Sequence, residues 1–309
     1  MGQVIRRLQD IGIRPQDYLG FPLADLGGWD DQPRFPAAPF GHREEEEDER
    51  DPNMSSGFPD LSQLPPELGL EVLRHLDATD LCLASCVWSH LANDELLWQS
   101  LCRSCWGSVT IYSRGRPEDF TYKQLFMALD EASLTFNTDP FQGIEYLTSR
   151  GILGDQPIEI ARFLHTTKRL WPNKKLEFLQ RRQDVLERLV QLQNFQNQFL
   201  PNALRKFFKE VSAPQERGNT LTIMLENFSQ RFCACNPGLG LSKDAVFVLC
   251  FSLIMLSVDL CSPHVKNKMS KREFIKNTCR AVSELSGDLA GHMYDNIYLA
   301  GHVAPKDFS

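Results

Sequence analysis

The sequence has no surplus of positive charge. Its 33 Lys and Arg face 40 Asp and Glu, a net charge of −7 at neutral pH, so a general phosphate-neutralising surface is not expected and nucleic acid is not an expected partner. Nor is there a long hydrophobic run. The longest, Ala245 to Leu256 (AVFVLCFSLIML), falls short of the roughly 20 residues that a bilayer crossing takes; it predicts a buried core helix with Phe251 inside. The opening residues carry no secretory leader. Together with nine cysteines, an odd number, this favours free thiols in a reducing compartment over a disulfide framework. Also missing are a P-loop, a G-x-G-x-x-G, an H-E-x-x-H pair and a short Ser-His-Asp grouping. No bond-making active site, no cofactor and no metal are therefore expected.

Strand alternation is scarce, and the chain reads as all-α. Residues 1–60 mix Pro, Gly and isolated aromatics without period and include the acidic run REEEEDER, Arg43 to Arg50; this predicts a solvated, disordered tail. Met1-Gly2 opens an acylation pattern whose Ser or Thr position is held by Arg6, so an ordinary N-terminus is expected and any membrane association is at most peripheral. From Leu61, Leu, Val and Trp recur at three- and four-residue intervals. Pro65-Pro66 and the stretch Asp77 to Asp80 interrupt them, with Asp77 and Thr79 as natural helix caps. This module is assigned 61–107, a connector 108–134 that reads as irregular near Ser108 to Asp119, a helical block 135–300 and a short tail 301–309. The block predicts an irregular right-handed stack of about ten helices without a repeat of fixed period.

Several constellations could carry chemistry. Cys102 and Cys105, Cys82 and Cys86, and Cys233 and Cys235 lack the second, properly spaced pair that a tetrahedral zinc site needs, and they read as buried thiols in apolar helices. In SAPQE, Ser212 can cap a helix, Pro214 suits its first turn, and Gln215 completes a Ser-x-x-Gln box. Glu216 would then only complement the helix dipole. The stretch Ser262 to Phe274 (SPHVKNKMSKREF) reads as a basic loop followed by a helix capped at Ser270.

Two segments resemble known families. The span Leu64 to Leu101 follows the order of an F-box: L-P-x-E-L, a Leu-rich helix, D..DL, V.W and a closing LW. The resemblance implies that Leu64, Pro65, Leu68 and Leu76 meet a Skp-type adaptor subunit of a cullin-RING ubiquitin ligase. A helical piece this small cannot bury all its leucines alone, which agrees with an apolar patch left for a partner.

The span from about Phe136 to Tyr298 resembles the Sec-seven domain, the helical domain that exchanges nucleotide on ADP-ribosylation-factor (Arf) GTPases. FNTDPFQGIEYLTSRGIL is similar to its opening helix, ALRKFFKEVSAPQERG to its first signature, and FSLIMLSVDLCSPHVKNKM to its second. The resemblance implies an exchange factor for an Arf-family small GTPase, with Glu216 as the exchange glutamate. It also implies that Met255, Leu256, Pro263, Val265, Lys266 and Met269 line the groove for the GTPase. Departures from the family pattern are Gln215, Arg217-Gly218, Val211-Ser212-Ala213, Ser257-Val258 and Cys261-Ser262. They imply a second reading, an exchange-inactive substrate receptor that captures a GTPase for ubiquitylation. A cytoplasmic location, peripheral at membranes at most, suits both.

Overall fold

The computed structural model describes residues 61–115, 120–214 and 219–304; the acidic stretch and the acylation pattern of the N-terminus lie outside them. Among the described residues every regular element is helical, and the one β-type pairing is an isolated bridge between Trp106 and Thr167. The chain divides into two compact units, with the change between Asp94 and Glu95.

In the smaller unit a short 3-10 turn, Leu61–Gln63, leads into α1 (Pro66–Leu73), α2 (Ala78–Ala84) and α3 (Ser89–Ala92). Pro66 opens α1, where its missing N–H leaves no bond unmade. The Asp77 carboxylate caps α2 by accepting the Asp80 N–H at 2.9 Å, whereas Thr79 lies inside the helix. Helix α1 crosses α3 closely at Gly69: a Cβ there would stand 3.1 Å from Leu91 Cδ1. Leu73, Leu81, Leu91 and Ala92 form the small core.

The larger unit begins with α4 (Glu95–Cys105), α5 (Ile111–Arg114) and α6 (Tyr122–Thr138). The sequence groups α4 with the first module and places a connector as far as residue 134. In the structure α4 and α6 pack on each other through aromatic side chains, and the division between the two units falls before α4. Trp98 of α4 and the following Trp106 stand edge-on to Phe126 of α6, with ring centroids 5.4 and 5.1 Å apart. Trp106 Nε1 donates to Ser133 Oγ at 2.9 Å. Helix α6 itself carries a Thr121/Gln124 capping box and buries Leu125, Phe126, Leu129, Ala132 and Phe136 at helical spacing.

The stack continues with α7 (Pro140–Ser149), α8 (Pro157–Thr166), α9 (Pro172–Arg181), α10 (Gln183–Leu192), α11 (Leu200–Glu210), α12 (Asn219–Cys235), α13 (Lys243–Cys261), α14 (Lys271–Ala281) and α15 (Gly287–Ala300). Proline in the first turn of α7, α8, α9 and α11 starts each helix sharply after a short loop. At the α6–α7 corner a Cβ on Gly143 would lie 2.6 Å from Phe136, so only glycine lets the two helices close. Buried Lys175 donates to the carbonyls of Leu164 (2.7 Å) and Thr167 (3.4 Å) at the end of α8, and its burial pushes its pKa down.

The core centres on α13, where Val246, Leu249, Cys250 and Leu253 are fully buried. Over its 19 residues the helix is long and apolar enough to cross a bilayer, unlike the Ala245–Leu256 run taken alone. However, 72% of its apolar window is buried inside the protein, as the core-helix reading requires. Phe251 is the exception: it is only half-buried and lies 5.3 Å from the ring of Phe247.

Candidate functional site

The C-terminal end of α13 and the loop running into α14 are fixed by polar contacts that the local sequence does not announce. Asp259, buried near the end of α13, accepts the backbone N–H of Met269 at 2.7 Å. The Met269 carbonyl in turn accepts the Tyr294 hydroxyl of α15 at 2.9 Å. Burial, then the charge of Asp259, pushes the Tyr294 phenol above its ordinary pKa. Lys268 Nζ donates to the Leu260 carbonyl, one of the unpaired acceptors at the end of α13. On the far side Ser270 caps α14 in a reciprocal box with Glu273, as its position predicts, and the Ser270 hydroxyl and N–H hold the Glu273 carboxyl below the usual carboxylate range. The loop is thus fastened at both ends and presents Pro263, His264 and Lys266 to solvent, with Val265 and Met269 half-buried.

Two of the residues expected in the groove do not reach the surface. Met255 and Leu256 are 6% and 1% exposed, because the last turns of α13 remain inside the stack. They support the loop from below; the exposed members of the set are Pro263 and Lys266. Ser257 also faces inward: its hydroxyl donates to the Ile254 carbonyl at 2.8 Å and lies 3.3 Å from His302 Nδ1. His302 Nδ1 accepts the Ala304 N–H at 3.0 Å, and Arg205 of α11 donates to the carbonyl of Gly301 (2.8 Å) and to Asn296 Oδ1 (2.6 Å). These contacts tie the end of α15 to α11 and α13. Sequence reading missed Asp259, Tyr294 and Arg205, whose partners lie 10 to 96 positions away.

Glu216 lies outside the described residues, as does Gln215, and with them the capping box read for Ser212. On the described side α11 ends at Glu210, and Ser212 to Pro214 are not helical. Val211 and Pro214 are buried, which anchors the chain on the N-terminal side of Glu216.

In the smaller unit α1 turns apolar side chains outward. Leu68 is 54% and Val72 50% exposed, one turn apart on a single helix face. Pro65 is exposed, and Leu64 and Leu76 are half-buried. Leu83 and Val87 are exposed as well. The thiols are more accessible than expected: Cys102 and Cys250 are buried, Cys86 and Cys261 are exposed, and the others are intermediate.

The Sec7 domain profile matches residues 127–300, from within α6 to the end of α15. This chain belongs to the Sec7 domain family. An F-box-like profile matches residues 61–104, the smaller unit and most of α4. F-box only protein 8 of Homo sapiens is 60% identical over 252 residues, covering 80% of this chain and 79% of its own length. Brefeldin A-inhibited guanine nucleotide-exchange protein 1 of Rattus norvegicus is 36% identical over 209 residues, 65% of this chain and 11% of that protein. Among solved structures, the Sec7p catalytic domain superposes with a TM-score of 0.52 at 30% identity, covering 56% of this chain and 98% of its own. The matched range includes the end of α13 with its fastened loop and the end of α11 with the segment that holds Glu216.

Proposed function

We propose that the chain is a guanine-nucleotide exchange factor for an Arf-family GTPase, coupled through its F-box to a cullin-RING ubiquitin ligase. The observation that carries this reading is the Sec7 domain over residues 127–300; by the resemblance of ALRKFFKEVSAPQERG to the family's first signature, Glu216 takes the exchange position. A carboxylate brought beside the diphosphate of bound GDP repels it, competes with Mg²⁺ and takes over the lysine of the GTPase P-loop. In a groove from which water is excluded these Coulomb effects are amplified. Pro263, Val265, Lys266 and Met269 meet the mobile switch segments of the GTPase, and the Asp259–Met269 bond keeps that surface from folding away. Pro65 and Leu68, with Leu64 and Leu76 beneath, meet a Skp-type adaptor. The protein works in the cytoplasm, at membranes only peripherally.

The test is formation of a nucleotide-free complex between the full chain and an Arf GTPase that survives gel filtration and is dispersed by added GTP. Persistence of GDP in every complex would refute exchange. Ser257 favours a second reading. It stands where the family has Asn, and its hydroxyl is spent in the interior. Together with Gln215 and Arg217 beside Glu216, this suits a domain that holds a GTPase for ubiquitylation without emptying it. Failure of a reconstituted ligase to modify a bound GTPase would remove that alternative.

A further inference from the structure

The segment 264–280 gathers six Lys or Arg (Lys266, Lys268, Lys271, Arg272, Lys276, Arg280) against the single acid Glu273, in a chain whose net charge is −7. Two of the six are committed within the protein, Lys268 to the Leu260 carbonyl and Lys271 to Asp295 at 2.6 Å. The other four are exposed and have no acidic partner among the described residues. Arg272, Lys276 and Arg280 recur at intervals of four. They therefore lie along one face of α14, opposite buried Phe274 and Thr278, and span about 12 Å of helix. The nearest negative charge on that helix is drawn away, since Glu273 Oε2 accepts both the N–H (2.9 Å) and the hydroxyl (2.7 Å) of Ser270.

Helix stability does not account for this arrangement. Arg280 in the last turn complements the helix dipole, but Arg272 stands in the first turn, where the dipole opposes a cation. The face also lacks what a protein partner needs as an anchor, because no large apolar side chain of α14 is exposed. A row of exposed cations along one helix face, without acidic partners among the described residues, fits a surface of delocalised negative charge.

We propose that this face of α14, formed by Arg272, Lys276 and Arg280, binds the anionic surface of a membrane. In a chain of net negative charge this stripe offers such a surface a face it attracts, which favours an orientation with α14 toward the membrane. Attachment through α14 holds the neighbouring loop 262–270 close to the bilayer, and it needs neither acylation nor a further lipid-binding domain.

The test is co-sedimentation of the unacylated full chain with phosphatidylcholine vesicles and with phosphatidylcholine–phosphatidylserine vesicles. Binding is expected only to the latter and is expected to weaken as salt rises. Changing Arg272, Lys276 and Arg280 together to Gln should lower partitioning about 100-fold, at about fivefold per cation, with an unchanged melting temperature. The charge-preserving pair Arg272→Lys and Arg280→Lys should bind as the parent does. Equal sedimentation of parent and Gln variant would overturn the proposal, as would loss of binding in the Lys variant. A parent chain that ignores the anionic vesicles but binds a polyglutamate peptide through the same three residues would overturn it in favour of an acidic protein segment.

Discussion

Helices α1 and α13 are both Leu-rich, yet they treat their apolar side chains in opposite ways. Helix α13 buries thirteen of its residues, whereas α1 buries Gly69 and Leu73 and leaves Leu68 and Val72 half in water. The difference follows from what surrounds them. Helix α13 is wrapped by α11, α12, α14 and α15, while among the described residues the main neighbours of α1 are a 3-10 turn and the short helix α3. Apolar surface in α13 therefore holds the domain together, and apolar surface on α1 is left exposed, available to the proposed adaptor. The same residue type does two jobs, and burial tells them apart.

Substitutions can break that contrast. The largest effect on folding is expected for Leu253→Ala, which empties a fully buried site in α13 and should cost about 3–5 kcal/mol in denaturant unfolding. Asp259→Ala should follow. It strands the Met269 N–H at a cost of about 1–3 kcal/mol, and hydrogen exchange at that amide should rise while the centre of α13 stays protected. Phe251→Ala, at a half-buried position, should cost clearly less than Leu253→Ala, on the order of 1–2 kcal/mol.

A pH effect comes next. Burial pushes the Cys250 thiol far above its ordinary 9.0, and Tyr112 is raised from 10.0 by the same cause. Both groups favour the folded state in their neutral form, so their contribution is complete below pH 9 and is lost as pH rises beyond it. Thermal melts should fall on the alkaline side, and Cys250→Ala should flatten the onset of that fall. The smallest change in stability, within about 0.5 kcal/mol, is expected for Leu68→Asp. That variant should nevertheless lose the adaptor in a pull-down while its Sec7 domain melts normally. Retained adaptor would break the contrast at its other end.

Much of the fold was legible because its signals are local. Helical spacing, the prolines that open helices, Asp77 before α2 and Ser270 with Glu273 before α14 each act within four residues. What the sequence does not display is non-local. The F-box-like pattern runs through Leu97 and Trp98, but Trp98 packs on Phe126 and so carries α4 into the larger unit. Met255 and Leu256 lie in a second signature that pairs apolar helix with loop, and no pattern in the sequence marks where the surface begins. The Asp259 to Met269 bond joins residues of unrelated periodicity, so only the fold reveals that a buried carboxylate holds the loop in place.

The central claim is that the Sec7 domain empties a GTPase through Glu216 on a surface held by Asp259. The most direct measurement is release of a fluorescent GDP analogue from a preloaded Arf GTPase, with the parent chain, Glu216→Lys and Asp259→Ala compared side by side. The account predicts acceleration by the parent, none by Glu216→Lys with GTPase binding kept, and a reduced rate for Asp259→Ala through weaker binding. Equal acceleration by parent and Glu216→Lys, or GTPase binding by the parent without any release, would contradict it.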